Sequence, residues 1–224
     1  MRRRSMRVRA ILRFARTGDP RIAAFVRLVT ATGLRRGEAC PLRWSDVDID
    51  RKQICIDKSV VIGRSGIQVK APKTRASIRT IAVDRGTLDE LRSLRARQDE
   101  IARACGVTLG PEGFVFSLDA DGLEAPRPDS LSRSFARLRD SAGVVSDIHL
   151  HSLRHFVATE LDSVISESQK QARLGWSTVQ MARHYTDSVS EEDQRAADHM
   201  GELIGATGSR GGNDRQRVMK PKAS

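Results

Sequence analysis

The stretch His151-Ser152-Leu153-Arg154-His155 gathers two imidazoles and a guanidinium into five residues. Ser152 reads as the N-cap of a helix whose apolar positions are Leu153, Phe156, Val157 and Leu161. His151 and Arg154 then fall where a helix start directs unbonded N–H groups outward, which is an anion site. A guanidinium holds phosphate oxygens through paired N–H groups, and an imidazole beside it can move a proton. The competing account is a buried helix start with hydrogen-bonded histidines, and five residues alone do not exclude it. Three other stretches carry groups suited to the same chemistry. They are Arg35 within Thr32-Gly33-Leu34-Arg35-Arg36-Gly37-Glu38, Lys73 within Ala71-Pro72-Lys73-Thr74-Arg75, and Tyr185, the single tyrosine, within His184-Tyr185-Thr186.

Bulk properties narrow the partner. A chain of 224 residues can bury one full core, and its net charge of +11 favours nucleic acid, with a membrane surface as the weaker alternative. Aromatic residues make up only 4%, which argues against a single-strand binder that stacks bases on exposed rings. No apolar run reaches the length of a membrane span, and the first nine residues are basic without a signal peptide's apolar stretch, so neither membrane insertion nor secretion is expected. Cys40, Cys55 and Cys105 are odd in number and widely spaced. They fit reduced core thiols better than disulfides or a zinc site, and a cytoplasmic location is expected.

The elements that must position these groups can be read from periodicity. Val8, Ile11, Leu12 and Ala15 give one face of an arginine-rich first helix. Asp19-Pro20 opens a core helix carrying Ile22, Phe25, Val26 and Val29 and closed by Gly33, after which a turn projects an arginine. Ile54 and Ile56 alternate with polar neighbours. Val60 to Ile62 and Ile67 to Val69 flank a turn at Gly63-Arg64-Ser65-Gly66, and Ile78 to Val83 follows a second turn that places Lys73 at its tip. Three antiparallel strands in a small sheet are expected from this stretch. Thr87 and Glu90 form a capping box for a helix bearing Leu88, Leu91, Leu94, Ile101 and Cys105. Phe114 to Phe116 reads as a short buried strand, followed by a loop rich in Asp, Gly and Pro, and Ser130 as the cap of a helix carrying Leu131, Phe135 and Leu138. Ser166 opens a short polar helix ending at Leu174-Gly175. Residues 190–204 form a last amphipathic helix able to pack on this domain or on a neighbour's.

Five motifs recur in a fixed order: Thr32-Gly33-Leu34-Arg35-Arg36-Gly37-Glu38 with Leu42-Arg43-Trp44-Ser45-Asp46-Val47-Asp48; Lys73-Thr74-Arg75 with Ser77, Arg79 and Ile81; His151-Ser152-Leu153-Arg154-His155; Leu174-Gly175-Trp176-Ser177; and His184-Tyr185. Over residues 8–204 the chain resembles the catalytic domain of the tyrosine recombinases, the phage integrase family. That resemblance implies an α+β fold, mainly helical, as a single domain over 1–204 with a basic tail 205–224 expected to be disordered. It implies site-specific cleavage and rejoining of double-stranded DNA through a 3′-phosphotyrosine intermediate, with no cofactor and no metal.

By the same resemblance Tyr185 is the nucleophile, Arg35 and Arg154 clamp the phosphate, Lys73 protonates the departing 5′ oxygen, and His151 acts as acid and base toward the tyrosine. Trp176 stands where the family usually carries histidine, its indole N–H able to donate to a phosphate oxygen. Glu38 is expected to hold Arg35, and Arg36, Arg64, Arg75 and Arg79 are candidates for DNA contact. The partners implied are double-stranded DNA and further copies of the chain in a four-subunit synapse, through residues 190–204, in a nucleoid setting. The helical domain that precedes this region in the family is expected to be absent, and the glycine usual between the HxLRH and LGH motifs is missing. Three alternatives stand beside this reading: a DNA-binding remnant without turnover, strand relaxation like that of a type IB topoisomerase, and a basic nucleic-acid-binding module.

Overall fold

A computed structural model describes residues 2–63, 66–71, 78–144, 147–176 and 189–205. Its helices are α1 (Arg2–Ala15), α2 (Pro20–Thr32), α3 (Arg36–Ala39), α4 (Arg85–Ala104), α5 (Pro128–Ser141), α6 (Leu150–Glu160), α7 (Glu167–Leu174) and α8 (Glu191–Gly205). The strands are β1 (Val47–Asp48), β2 (Gln53–Ile56), β3 (Ser59–Gly63), β4 (Gly66–Lys70) and β5 (Arg79–Ala82).

The core is built around α2. The Asp19 carboxylate accepts from the Arg21 amide at 2.8 Å, Pro20 takes the first turn, and Gly33, at φ 71°, closes the helix in the left-handed region. Every residue from Ile22 to Thr32 is buried, because α1, α4, α5, α6 and α8 pack around this helix. Phe25 meets Phe116 edge to face at 5.2 Å between ring centres. Helix α1 contributes Val8, Ile11, Leu12 and Ala15, all buried, at the spacing read from the sequence.

The sheet differs from expectation in membership. The three-stranded sheet has the order β1-β2-β5, with Ile54 opposite Ile81, while among the described residues β3 and β4 pair only with each other as a separate ribbon. Burial decides the choice: β2 and β5 send Ile54, Ile56, Ile81 and Ala82 into the core, whereas the ribbon leaves Val61, Ile62 and Val69 exposed.

Several helix boundaries also move. Asp84, not Thr87, caps α4, its carboxylate accepting from the Thr87 amide at 3.0 Å, and Glu90 pairs with buried Arg27 at 3.4 Å. Ala102 rather than Ile101 continues the inward face of α4, in phase with Leu91 and Leu94, and Cys105 lies exposed beyond it. Of the three thiols only Cys40 is buried, and burial pushes its pKa up to about 12. Pro128, not Ser130, begins α5, and Phe114 to Phe116 is buried without forming a strand beyond one bridge between Arg43 and Phe114.

Helix α8 docks within the chain. Ala196, Ala197, Met200 and Ile204 are buried against α2, α4, α7 and β5. An ion pair fixes it: Arg173, wholly buried in α7, donates to Asp193 at 2.7 Å and to the Ala82 carbonyl at 3.0 Å, while Asp193 also accepts from the Ala82 amide.

Removing one partner of such a pair leaves an uncompensated buried charge, so Asp193→Ala is expected to lower stability by about 3–5 kcal/mol in urea unfolding. Asp89→Ala, which removes the exposed pairs with Arg85 and Arg92, is expected to cost about 1 kcal/mol or less. Equal costs would show that burial of the Arg173 pair is not what matters.

Candidate active site

Three chain reversals bring the chemistry-bearing residues together. Arg35 leaves the Gly33-Leu34 turn at the end of α2 and stands as the N-cap of α3. Arg154 lies in the second turn of α6, and Gly175, at φ 61°, closes α7 just before Trp176.

Helix α6 begins three residues earlier than expected. His149 is its N-cap with extended backbone, and Ser152 sits in the first turn, where its hydroxyl accepts from the His149 amide at 3.2 Å and donates to the Asp147 carbonyl. The serine side chain still ties down the helix start, from inside the helix. His151 and Arg154, three residues apart, share one face.

Arg154 is 3% exposed and its guanidinium donates to the Gly33 carbonyl at 2.7 Å and to the Leu174 carbonyl. Both carbonyls lie at helix C-termini, where the aligned backbone dipoles favour a cation. Arg35 donates to Glu38 at 2.9 Å and to the Gly175 carbonyl at 3.0 Å. A guanidinium has five N–H groups, so each of these arginines retains donors beyond those contacts. The Trp176 ring lies 5.8 Å from the Arg154 guanidinium carbon, in cation–π range.

Glu38 is the carboxylate of this cluster. It is buried and accepts from Arg35 and, through both oxygens, from Arg79 at 3.2 and 3.0 Å. Burial alone would raise its pKa, but the Arg79 charge and hydrogen bonds, helped by Arg35, hold it below the usual value. Arg79 therefore departs from the surface contact expected of it: it is buried, and its Nε donates to the Arg173 carbonyl at 2.9 Å. Alternation along β5 carried the signal, since Arg79 and Ile81 fall on the same face. Arg36 does reach the surface, where it donates to Asp129 at 3.1 Å and to the Ser132 hydroxyl at 2.7 Å on α5. Lys73, Tyr185, Arg64 and Arg75 lie outside the described residues.

Arg35, Arg36, His149, His151 and Arg154 line one cavity of about 450 Å³. Burial and the neighbouring charges of His155, Arg154, Arg35 and His149 hold the His151 pKa below its ordinary value. The His155 ring stands edge to face with that of His151 at 4.6 Å. Burial and Arg35 likewise push Arg154 down to about 10, so it keeps its charge at neutral pH. With three guanidinium groups around one carboxylate, the cluster carries surplus positive charge, and neutral His151 on its rim is ready to accept a proton.

A model of the phage integrase family matches residues 3–192. The chain is 27% identical over 199 residues to a tyrosine recombinase XerC-like protein of Caldanaerobacter subterraneus subsp. tengcongensis, covering 82% of this chain and 50% of that protein. It is 27% identical over 177 residues to a putative prophage phiRv2 integrase of Mycobacterium tuberculosis, covering 78% of this chain and 44% of that one. The chain thus spans about half the length of these curated relatives. Among solved structures, the Tn1549 transposon integrase in complex with transposon right end DNA superposes with a TM-score of 0.62 at 18% identity, covering 83% of this chain and 61% of that one. The XerA recombinase superposes with a TM-score of 0.59 at 20% identity, covering 91% and 64%. The fold of this chain is that of these enzymes.

In the free protein His151 is expected to titrate below its ordinary value of 6.5, as followed by NMR of its ring protons. Protonating it costs native stability as pH falls from 6.5 through the lowered value, and above 6.5 that cost is absent. His155→Gln removes a like charge and should move the midpoint up toward 6.5. An unchanged midpoint would mean His155 has no part in the depression.

Proposed function

Because the chain belongs to the phage integrase family, we propose that it is the catalytic domain of a site-specific recombinase, which cleaves and rejoins double-stranded DNA through a 3′-phosphotyrosine. The observation that carries this reading is the convergence of Arg35, Arg154 and His151 on one cavity.

In the reaction the Tyr185 oxygen attacks the scissile phosphorus as its proton passes to His151. The bond to the 5′ oxygen breaks, and Lys73 supplies the proton that oxygen needs to leave as a hydroxyl. Arg35 and Arg154 hold the non-bridging oxygens, whose charge grows in the pentacovalent state, and their anchorage on Glu38 and on helix-end carbonyls means that they need not reorganise as it forms. Trp176 stacks on Arg154, and its N–H can donate to the same phosphate. Rejoining is the reverse, with the free 5′ hydroxyl attacking the phosphotyrosine. Because the phosphodiester bond energy is kept in the covalent intermediate, no external energy source is needed. Assembly into a four-subunit synapse and residence on the nucleoid belong to this proposal. The apolar face of α8 is already covered in cis, so contacts between copies would fall on other surfaces.

Duplex DNA nicked next to the cleavage point should trap the protein covalently, with the adduct mapped to Tyr185 by mass spectrometry and lost in Tyr185→Phe. No adduct at low salt with saturating cognate DNA would sink strand cleavage by this chain. Arg154→Ala, which empties the buried half of the clamp, should reduce trapping by about 10²–10³-fold.

Affinity should come chiefly from backbone phosphates. The logarithm of the binding constant is then expected to fall linearly with the logarithm of salt concentration, with a slope of about −0.9 per phosphate contacted. A flat salt dependence would contradict DNA as the partner.

A further inference from the structure

At the end of α2 opposite the arginine cluster, the surface changes character. Asp19 and Pro20 mark that end, and a helix of 13 residues rising about 1.5 Å per residue places it roughly 20 Å from Gly33. Here Leu118 and Leu123 are 79% and 68% exposed, and Ile101 and Val107, at the close of α4, are exposed beside them. They line two hollows of about 160 and 550 Å³ that share Asp119 and Ala120.

The loop that carries the two leucines is fixed. Phe114 donates its amide to the Gly122 carbonyl at 2.8 Å, Gly122 donates to the Asp119 carbonyl, and the Ser117 hydroxyl accepts from the Asp119 amide at 3.1 Å. Arg21 donates to the Phe116 carbonyl just before it. The leucines are therefore held outward by local geometry. The rim of the larger hollow is acidic, with Asp119, Asp121 and Glu124 in no ion pair among the described residues, and the nearby cations Arg21 and Arg97 line the smaller one. An acidic, apolar surface on a chain of net charge +11 is repelled by DNA and suits a basic, apolar protein segment.

The chain carries such a segment beside it. Helix α1 exposes Arg3, Met6 and Arg13 along one stripe, with Phe14 next to it, Met6 being 61% exposed. Its C-terminal end adjoins the acidic patch. Arg16 lines a hollow that shares Pro20, Leu94 and Arg97 with the one beneath Leu118. We propose that this end of the molecule is a self-association surface, on which the basic, apolar stripe of α1 in one copy docks against the acidic 118–124 loop of a second. Adjacent, complementary patches allow a two-fold pairing in which each copy gives and receives the same contact. Net repulsion between copies is screened beyond about 10 Å at 0.1 M salt, so local complementarity decides the contact.

The test is sedimentation velocity on the 224-residue chain without DNA, at about 0.1 M and about 1 M salt. A concentration-dependent dimer is expected, weaker at the higher salt. Arg13→Glu and Asp119→Lys each set like charges in contact and should weaken the dimer about tenfold or more, with circular dichroism unchanged since both residues are exposed. Mixing the two variants should restore it, because the carboxylate introduced on α1 of one copy then meets the ammonium introduced on the loop of the other. A wild-type monomer at every concentration would overturn the proposal, including the case in which the patch serves a different protein. So would a dimer indifferent to both reversals, or variants that fail to rescue each other.

Discussion

The arrangement depends on guanidinium groups held inside the protein by backbone carbonyls at helix ends. An arginine cannot shed its charge to enter the interior, so burial demands oxygen partners of fixed position. For Arg154 these are the carbonyls of Gly33 and Leu174, at the ends of α2 and α7. Both helices stop in a left-handed glycine, a backbone conformation in which any side chain is strained. A Cβ on Gly33 would come within 2.6 Å of the Leu174 side chain, and one on Gly175 within 2.8 Å of the Arg79 guanidinium. The tight turns that end the helices and the cradle for the cation are one structure.

Glu38 supplies the remaining balance, and it is outnumbered. Arg35 and Arg79 both bond it, and Arg154 lies close enough for Glu38 to stabilise its charged form. A fully neutralised cluster would be more stable and would have no field left for a phosphate. The surplus is divided by burial. Arg79 and Arg154 are buried and set the geometry, while the Arg35 side chain is 44% exposed and opens to the cavity. Burial first, and the residual repulsion after it, depress the pKa of Arg154 and of His151, and an arriving phosphate dianion or diester would relieve the repulsion.

Legibility in the sequence followed the kind of signal each residue carries. Arg35, His151 and Arg154 announced themselves by type and spacing, and α1, α2 and α7 by periodicity and caps, because those signals are local. The partner of β5 was not legible: 53–56 alternates and 59–63 carries the run Val60-Val61-Ile62, both strand patterns, and only burial in the assembled core selects β2. Arg79 was readable in principle from its phase with Ile81, yet a lone arginine near a turn reads first as a surface charge. Arg173 gave no signal at all. It sits in a charged helix beside Leu174-Gly175, and its partner Asp193 looks like any acidic residue in a helix's first turn.

That unannounced pair also connects the end of the fold to the site. Asp193 of α8 holds Arg173, whose own carbonyl accepts from Arg79 and whose successor, Leu174, gives its carbonyl to Arg154. Two adjacent peptide units thus receive two of the three clustered arginines, and their position is set from the other side by α8. Loss of the α8 contact would leave Arg173 buried with no carboxylate, a cost large enough that the end of α7 would have to rearrange. The carbonyls bonded by Arg79 and Arg154 belong to that same end, so the geometry of the clamp is conditional on the docking of the last helix, although no residue of α8 lines the cavity.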